Sequence, residues 1–155
     1  MALVGSATFL ESYALVLRGR DLVAHCAKAH TPEHYAWWLA DPEVALWVAE
    51  AGDEVVVGYA ALTPPDLPEA RPDDLELRRI YVLAPFKGGG TGRAFVEAVA
   101  EEAHRRGAGR LTLGMYGGNH AALAFYTRVG FRPIGTRTFT VGEQVCDDLV
   151  LGLDL

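Results

Sequence analysis

Hydrophobic positions recur at helical spacing in the first forty residues of the chain. Phe9, Tyr13 and Val16 follow an i, i+4, i+7 pattern, which predicts a first helix. Asp21 is predicted to cap a second helix in DLVAHCAKA, because its side chain can accept from the unpaired N–H groups of a helix start. Thr31-Pro32-Glu33 predicts the start of a third helix, with a threonine cap followed by proline at the first helical position.

The middle of the chain changes to short segments rich in β-branched and aromatic residues. ALWVAE and EVVVGYAAL are separated by Gly52-Asp53, which predicts a hairpin. The prolines of TPPDLPEARPDD exclude a regular ladder and predict a surface loop. Further strands are predicted in LELRRIYVL, RLTLGMY, FRPIGTRTF and EQVCDDLVL, with a turn at Gly142 between the last two.

Two amphipathic helices are predicted between these later strands. Residues 93–106 place an apolar face opposite a charged one, and residues 119–129 turn Ala122, Phe125 and Val129 inward. The order is helices, then an antiparallel run, then alternating strands and helices. This order predicts one mixed α/β (α+β) domain over residues 1–155.

The composition narrows the kind of protein. Half of the 155 residues are apolar and the net charge is −6, which disfavours a nucleic-acid binder, since phosphate contacts need many Lys and Arg side chains. No apolar run in the sequence is long enough to span a bilayer, and MALVGSATFLESY lacks the charged region of a signal peptide. Cys26 and Cys146 form no disulfide framework, which favours a reducing compartment. We therefore expect a cytoplasmic protein with no nucleic-acid or membrane partner.

A cluster of glycines precedes the first amphipathic helix, in YVLAPFKGGGTGRAFVEAVAEEAHRRG, residues 81–107. A flexible hinge is one interpretation of this cluster. A phosphate loop of the Walker type needs Lys directly after its last glycine, whereas Lys87 precedes the glycines. A dinucleotide fingerprint needs a further spaced glycine where Phe95 stands. Both nucleotide loops therefore fit poorly.

An anion site at the helix N-terminus is the third interpretation of the glycine cluster. A helix start leaves N–H groups unpaired and carries a partial positive charge, and glycines let a phosphate approach them closely. A pyrophosphate would fit there, with Lys87 or Arg93 in reach of its outer oxygens.

Two motifs make the chain resemble the GCN5-related N-acetyltransferase (GNAT) superfamily over residues 44–151. The family's Gln/Arg-x-x-Gly-x-Gly/Ala loop is matched at Gly90 and Gly92, with Lys87 in place of Gln or Arg. The family's Asn-x-x-Ala-x-x-x-Tyr motif, followed by Gly-Phe, is matched by Asn119, Ala122, Tyr126, Gly130 and Phe131. The resemblance implies a mixed, mostly antiparallel central sheet flanked by helices, and acetyl-CoA as cosubstrate.

The resemblance also implies the cofactor contacts. Backbone groups along Tyr81–Ala84 are implied to hold the pantetheine arm, and an N–H near Val82 to polarise the acetyl carbonyl. Asn119 is either the N-cap of its helix or a cofactor contact, and it can be both. The predicted cofactor-binding residues are Val82, Ala84, Lys87, Gly88, Gly89, Gly90, Gly92, Arg93, Asn119 and Tyr126.

Within the family, the chain is most similar to the spermidine/spermine acetyltransferases of the PaiA type. ELRRIYVL and FTVGEQVCDDLVL resemble that group, as do TFLESY and TPEHYAWWLADPE. The family's first strand normally precedes TFLESY, whereas only MALVGSA stands there, so this strand is predicted to be missing or shortened. The resemblance implies a small primary amine, with a polyamine as candidate, as the acceptor, and it is compatible with a homodimer.

Acetyl transfer to an amine needs a base and an acid, because an alkylammonium with a pKa of ~10 is protonated near pH 7 and the thiolate must leave. Glu76 stands where the histone-modifying branch of the superfamily carries its catalytic glutamate, and strand alternation predicts one face for Glu76, Arg78 and Ile80. A solvated strand acid, or an ion pair of Glu76 with Arg78 or Arg79, is an equal alternative. Tyr126 is the predicted acid, and a buried core aromatic is its alternative.

Three other groups have simpler interpretations. His30 and His34 have i, i+4 spacing, but a helix boundary separates them and no fourth ligand is evident, so no metal site is predicted. Trp37-Trp38 is predicted to place one ring in the core and one at the rim. Asp147-Asp148 could attract the second ammonium of a polyamine, although such a pair more often marks an exposed strand end.

The leading functional hypothesis is an acetyl-CoA-dependent N-acetyltransferase acting on the primary amine of a small molecule. A peptide N-terminal or lysine acetyltransferase is the alternative, and it would need an open groove where the acceptor helices lie. A non-catalytic acyl-CoA-binding module is a third hypothesis, and a nucleotide-binding domain is a weak fourth.

Overall fold

The computed structural model describes residues 1–68 and 70–155, and its elements follow the predicted order. Three helices come first: α1 Ala2–Tyr13, α2 Gly19–Ala29 and α3 Pro32–Ala40. Strands β1 Ala45–Ala51, β2 Val55–Thr63 and β3 Asp74–Val82 follow, and a 3-10 turn at Ala84–Phe86 leads to α4 Thr91–Arg105. The remaining elements are β4 Arg110–Tyr116, α5 His120–Arg128, β5 Arg132–Val141 and β6 Gln144–Asp154.

One sheet joins the strands in the order β1-β2-β3-β4-β6-β5. Every neighbouring pair is antiparallel except β3 and β4, which are parallel. This confirms the predicted mixed, mostly antiparallel sheet and the hairpin between β1 and β2. Among the described residues β1 is one edge of the sheet. The segment TFLESY lies in α1, and no strand precedes α1 in these residues. No helix in the described ranges is both long and apolar enough to cross a bilayer.

The observed N-cap residue matches the prediction for α3 and differs from it for α2. Thr31 caps α3 as predicted, since its Oγ1 accepts from the His34 N–H at 3.1 Å. Arg18 rather than Asp21 is the N-cap of α2, so that prediction is wrong. Asp21 lies in the first turn instead, where a carboxylate still complements the helix dipole. Val16 lies beyond the end of α1.

A bulge in β3 changes which side chains share a face. The pairing of β3 with β2 shifts between Ala61 and Leu62, so that Arg78 is an extra residue in β3. Ile80 packs into the cluster formed with α4. Glu76 instead forms an ion pair with Arg78. The predicted shared face is therefore wrong for Ile80, because the extra residue interrupts the two-residue period of the strand.

The sheet carries a hydrophobic layer on each face. On one face, α4 buries the predicted apolar stripe, including Val96, Val99 and Ala103, against the strands. On the other face, α1 and α3 cover the sheet, and Trp38 is 7% exposed whereas Trp37 is 62% exposed. This confirms one tryptophan in the core and one at the rim.

A buried hydrogen-bond network joins α3 to β2 and β3 beneath α1. The Tyr35 hydroxyl lies 2.8 Å from His30 Nδ1, 2.8 Å from the Tyr59 hydroxyl and 2.9 Å from Arg79 Nη1. Gly5 of α1 makes room for these groups, because a Cβ there would collide with the Tyr35 hydroxyl and His30 Nδ1. The imidazole of His30 is therefore part of the packing between helices and sheet.

The buried His30 predicts a loss of stability in mild acid. Burial, followed by the charge of Arg79, lowers the pKa of His30 to about 3. The unfolded chain binds this proton near pH ~6.5. Stability from the neutral imidazole is therefore complete above that pH and is lost as the pH falls toward the folded pKa. We expect His30 alone to lower the free energy of unfolding by roughly 2 kcal/mol between pH 7 and pH 5.

Urea unfolding at the two pH values measures this effect. His30→Gln should remove about that much of the pH-dependent loss, whereas His104→Gln, at an exposed position of α4, serves as the matched control. An equal loss in wild type and His30→Gln would contradict the assignment.

Candidate active site

The central opening of the sheet lies between β3 and β4. These strands pair only where Asp74–Glu76 meets Arg110–Thr112, and no further β3–β4 pair occurs in the described chain. The Leu83 N–H donates to the Val57 carbonyl at 2.9 Å, so residue 83 points toward β2. Because successive N–H groups of a strand point to opposite sides, the Val82 N–H is directed into the opening. This is the donor predicted to polarise the acetyl carbonyl.

The glycine loop joins β3 to α4 and leaves backbone N–H groups unpaired. Gly88 and Gly90 have φ values of 87° and 91°, a left-handed conformation that favours glycine, and Gly90 is the N-cap of α4. The Ala94 N–H donates to the Gly90 carbonyl, but the amides of residues 88–93 have no acceptor among the described residues. A Cβ at Gly88, Gly89 or Gly90 would meet nothing within 4 Å. These amides, at the positive end of a helix, fit a pyrophosphate.

The remaining loop residues serve different purposes. A Cβ on Gly92 would lie 3.3 Å from Phe125 Cζ, so this glycine lets α4 approach α5 closely. Arg93 Nε donates to Glu97 Oε1 at 2.7 Å. This predicted phosphate ligand therefore forms an ion pair with a glutamate one turn further along α4. Lys87 has no ion pair within the described parts of the chain, which leaves its ammonium available to an anion.

Two predicted cofactor contacts have partners inside the protein. The Ala84 N–H donates to Glu11 Oε2 at 3.2 Å, and the Ala84 carbonyl accepts from the Lys87 N–H at 3.2 Å. The Ala84 amide is therefore not free for the pantetheine arm. Asn119 Oδ1 accepts from the Ala122 N–H at 3.0 Å, which confirms Asn119 as the N-cap of α5. Its contact with the cofactor stays a prediction.

Tyr126 lies on α5 with its ring beside Phe125 and Phe131, at centroid distances of 5.2 and 5.6 Å. Burial, and then the nearby Tyr81, raises the pKa of Tyr126, so the hydroxyl stays protonated at neutral pH. None of the residues that the structure describes forms a hydrogen bond with this hydroxyl. Tyr126 therefore combines a core ring with an available proton donor.

Glu76 is buried in a polar network at the closed end of the opening. Its Oε2 accepts from the Asp66 N–H at 2.8 Å and lies 3.1 Å from Arg78 Nη2. Burial raises the pKa of Glu76, and the charge of Arg78 opposes this shift. The residue lies opposite Thr112, where β3 and β4 still pair. The geometry is that of the ion-pair alternative, and the role of Glu76 as base stays a prediction.

Asp148 is buried on the sheet face that packs against α1. Arg137 donates to Asp148 Oδ2 from both Nε and Nη2, at 3.3 Å each. Burial raises the pKa of Asp148, and Arg137 opposes this shift. The expectation of an exposed strand end is wrong, because both residues lie inside β6, where Asp148 is buried and only Asp147 is exposed.

A bridge joins the α1–α2 segment, residues 14–18, to the tip of the β5–β6 hairpin. Gln144 Oε1 accepts from the Arg18 N–H at 3.1 Å, and Gln144 Nε2 donates to the Val16 carbonyl at 2.7 Å. Glu143 Oε2 lies 3.6 Å from Arg18 Nη1. The cleft beside this bridge is lined by Leu15, Tyr116, Gly117, Val145 and Cys146, among others.

Sequence reasoning did not single out Tyr13, Arg137 or Gln144 as residues of the site. They lie on three separate elements and belong to neither the glycine loop nor the Asn-to-Tyr motif. The similarity of TFLESY and FTVGEQVCDDLVL to one acetyltransferase group marked two of the segments without marking the residues.

Comparison with known proteins identifies this architecture. The acetyltransferase (GNAT) family matches residues 13–131. An uncharacterised N-acetyltransferase of Mycobacterium tuberculosis is 34% identical over 143 residues, which cover 84% of this chain and 88% of the relative. The ribosomal-protein-alanine N-acetyltransferase of Brucella melitensis superposes with a TM-score of 0.74 at 28% identity, over 99% of this chain and 93% of that one.

A further solved structure has the same fold. The PaiA N-acetyltransferase of Thermoplasma acidophilum, in complex with coenzyme A, superposes with a TM-score of 0.79 at 15% identity, over 99% of this chain and 91% of that one. The family match covers most of the chain and includes the glycine loop. It confirms the predicted fold and the predicted cosubstrate. The chain belongs to the acetyltransferase (GNAT) family and is an acetyl-CoA-dependent acetyltransferase.

Proposed function

We propose that the protein transfers the acetyl group of acetyl-CoA to the primary amine of a small molecule, with a polyamine as the first candidate. The observation that carries this proposal is the bridge between Gln144 and the α1–α2 segment. A folded protein acceptor would need an open groove between these two elements, and the bridge closes it. A slender alkylamine can still enter through the cleft beside the bridge. The net charge of −6 also favours a cationic acceptor.

The chain supplies three groups for the reaction. The amides of residues 88–93, with Lys87, would hold the pyrophosphate of coenzyme A. The Val82 N–H would donate to the acetyl oxygen, where negative charge develops during attack. Tyr126 would donate its proton to the departing thiolate, because its raised pKa keeps it protonated at neutral pH. Acetyl-CoA itself supplies the activated acetyl group.

A peptide N-terminus is the second candidate acceptor. The identity of 28% with the ribosomal-protein-alanine N-acetyltransferase of Brucella melitensis favours it. An extended peptide end is slender enough to pass beside the bridge, although a folded substrate is not. The two candidate acceptors therefore differ in the group that carries the amine, an alkyl chain or a peptide, and the reaction is the same for both.

Thiol release from acetyl-CoA in the presence of an acceptor panel tests the proposal. The panel contains butylamine, putrescine, spermidine and a short peptide with N-terminal alanine. We expect kcat/KM for the di- or polyamine to exceed that for the peptide at least tenfold, because a second ammonium adds attraction to the acidic protein.

Two outcomes would overturn the proposed acceptor. Turnover confined to the alanine peptide would establish the second candidate instead. Binding of coenzyme A without turnover of any acceptor would reject both. Acetylation products identified by mass spectrometry distinguish amine transfer from plain hydrolysis of the thioester.

A further inference from the structure

A buried carboxylate lies on β6, one strand away from the gap between β3 and β4. Asp148 of β6 stands opposite Tyr116 of β4, and Tyr116 is four residues beyond Thr112, the last β4 residue that pairs with β3. At about 3.3 Å per residue, this places Asp148 roughly 13 Å further along the opening than Glu76. Val82, whose N–H points into the opening, is six residues beyond Glu76 on β3. The same rise places Val82 roughly 17–20 Å beyond Glu76, so Asp148 lies between these two residues along the opening and nearer to Val82.

Only one of the two carboxylate oxygens of Asp148 accepts hydrogen bonds from the described residues. Both hydrogen bonds from Arg137 go to Oδ2, and at 3.3 Å they are long for a charged pair. Oδ1 accepts no hydrogen bond from a described residue, and it is not among the described side-chain atoms that are enclosed without a partner. Oδ1 therefore keeps a free acceptor position and some contact with solvent.

Arg137 packs on β4 and on Phe139 while it binds the other oxygen of Asp148. Its guanidinium crosses to β4 and lies on Gly114, where a Cβ would be 2.6 Å from Arg137 Cζ. It also stands over the ring of Phe139, at 5.3 Å from the centroid. These contacts hold the arginine over β4, on the Oδ2 side of Asp148.

Tyrosine residues lie near the carboxylate, since Tyr116 stands opposite Asp148 in the sheet and contacts Tyr13. The charge of Asp148 contributes to the raised pKa values of Tyr13 and Tyr81, after burial and other neighbours. The rings of Tyr13 and Tyr116 meet edge to face at 6.5 Å. Aromatic faces attract alkylammonium ions and pack against their methylene groups. A carboxylate oxygen among tyrosines is thus a chemical match for an alkylammonium ion.

We propose that Asp148, with Tyr13 and Tyr81 beside it, binds the acceptor through the ammonium group that is to be acetylated. This assignment rests on the proposed function, since it presumes a primary amine as acceptor. It makes Asp148 the residue that selects for a cation at the reacting end of the acceptor.

The carboxylate also gives the proton a route. The bound ammonium gives one proton to Asp148 Oδ1, which releases it to solvent through the opening. The neutral amine nitrogen then bonds to the acetyl carbon as the carbon–sulfur bond breaks. Tyr126 gives its proton to the sulfur and receives the second proton of the nitrogen. One ammonium and one thioester become one amide, one thiol and one released proton.

Calorimetric titration of amines into the protein saturated with coenzyme A tests the assignment without turnover. We expect butylamine, putrescine or spermidine to bind wild type, and Asp148→Asn to raise the Kd of that amine at least tenfold. Asp53→Asn, which removes the same charge from the exposed β1–β2 turn, should leave the Kd unchanged. In turnover assays the KM for amine should rise in Asp148→Asn by a similar factor.

Equal amine Kd values for wild type and Asp148→Asn would overturn the assignment, as would no binding of any of the three amines to wild type. If Asp148→Asn fails to fold because Arg137 loses its partner, the double variant with Arg137→Gln leaves no buried charge unpaired and carries the same comparison. Amine binding that depends on Asp148 but gives no thiol release would reject the proposed function alone. Turnover with an unchanged KM in Asp148→Asn would reject this assignment alone.

Discussion

Tyr126→Phe is expected to lower kcat for amine acetylation by about 10²- to 10³-fold, the lower part of the roughly 10²- to 10⁴-fold contribution of a general acid. The hydroxyl lies on α5 without a hydrogen-bond partner among the described residues, and burial raises its pKa. The hydroxyl therefore keeps its proton at neutral pH, and no described residue competes with the departing thiolate for it. Steady-state kinetics with saturating acetyl-CoA and the best amine of the panel measure the effect.

Two further measurements separate catalysis from packing in this variant. Phenylalanine keeps the ring contacts with Phe125 and Phe131, so the free energy of unfolding should change by less than about 1 kcal/mol. The Kd for coenzyme A should stay within a factor of about two, since a change of that size corresponds to only a few tenths of a kcal/mol. An unchanged kcat would show that Tyr126 is only a core aromatic.

Local patterns were sufficient to predict most of the elements and the glycine turn that precedes α4. The glycines at 88 and 90 adopt the left-handed conformation that only a glycine takes easily, directly before the predicted helix. Such a loop is local in sequence, because a strand end, a few bare amides and a helix start follow one another. The Thr31 cap and the Trp37-Trp38 pair were predictable for the same reason.

Features that depend on contacts between distant segments were not predictable. The bulge at Arg78 arises from the register of β3 against β2, and no signal within LELRRIYVL marks it. The burial of Asp148 depends on the placement of β6 between β4 and β5, which the order of strands along the chain does not reveal. The bridge formed by Gln144 connects residues more than a hundred positions apart. Asp148 and the Gln144 bridge, which belong to the proposed acceptor side, depend on such long-range contacts, whereas the proposed cofactor loop is local in sequence.

Gly90→Ala is expected to weaken binding of acetyl-CoA at least tenfold. Gly90 has a φ of 91° and caps α4 next to the unpaired amides of residues 88–93. An alanine there shifts the loop toward ordinary φ values and puts a methyl group in the open space beside the amides. Hydrogen bonds to a charged group contribute about 1.5–3 kcal/mol each, so displacing even one of them accounts for a tenfold loss.

Gly107→Ala is the matched control for this prediction, because Gly107 has a φ of 83° at the other end of α4 and also has open space around it. Both variants should lose about 1–2 kcal/mol of unfolding free energy from the left-handed alanine. Only Gly90→Ala should raise the Kd measured by calorimetry. If both variants bound acetyl-CoA as wild type does, the glycines would serve the backbone turn alone. A weaker affinity at Gly90 with equal destabilisation at both sites assigns the loop amides to the pyrophosphate, since backbone strain is then the same in the two proteins and only their distance from the anion differs.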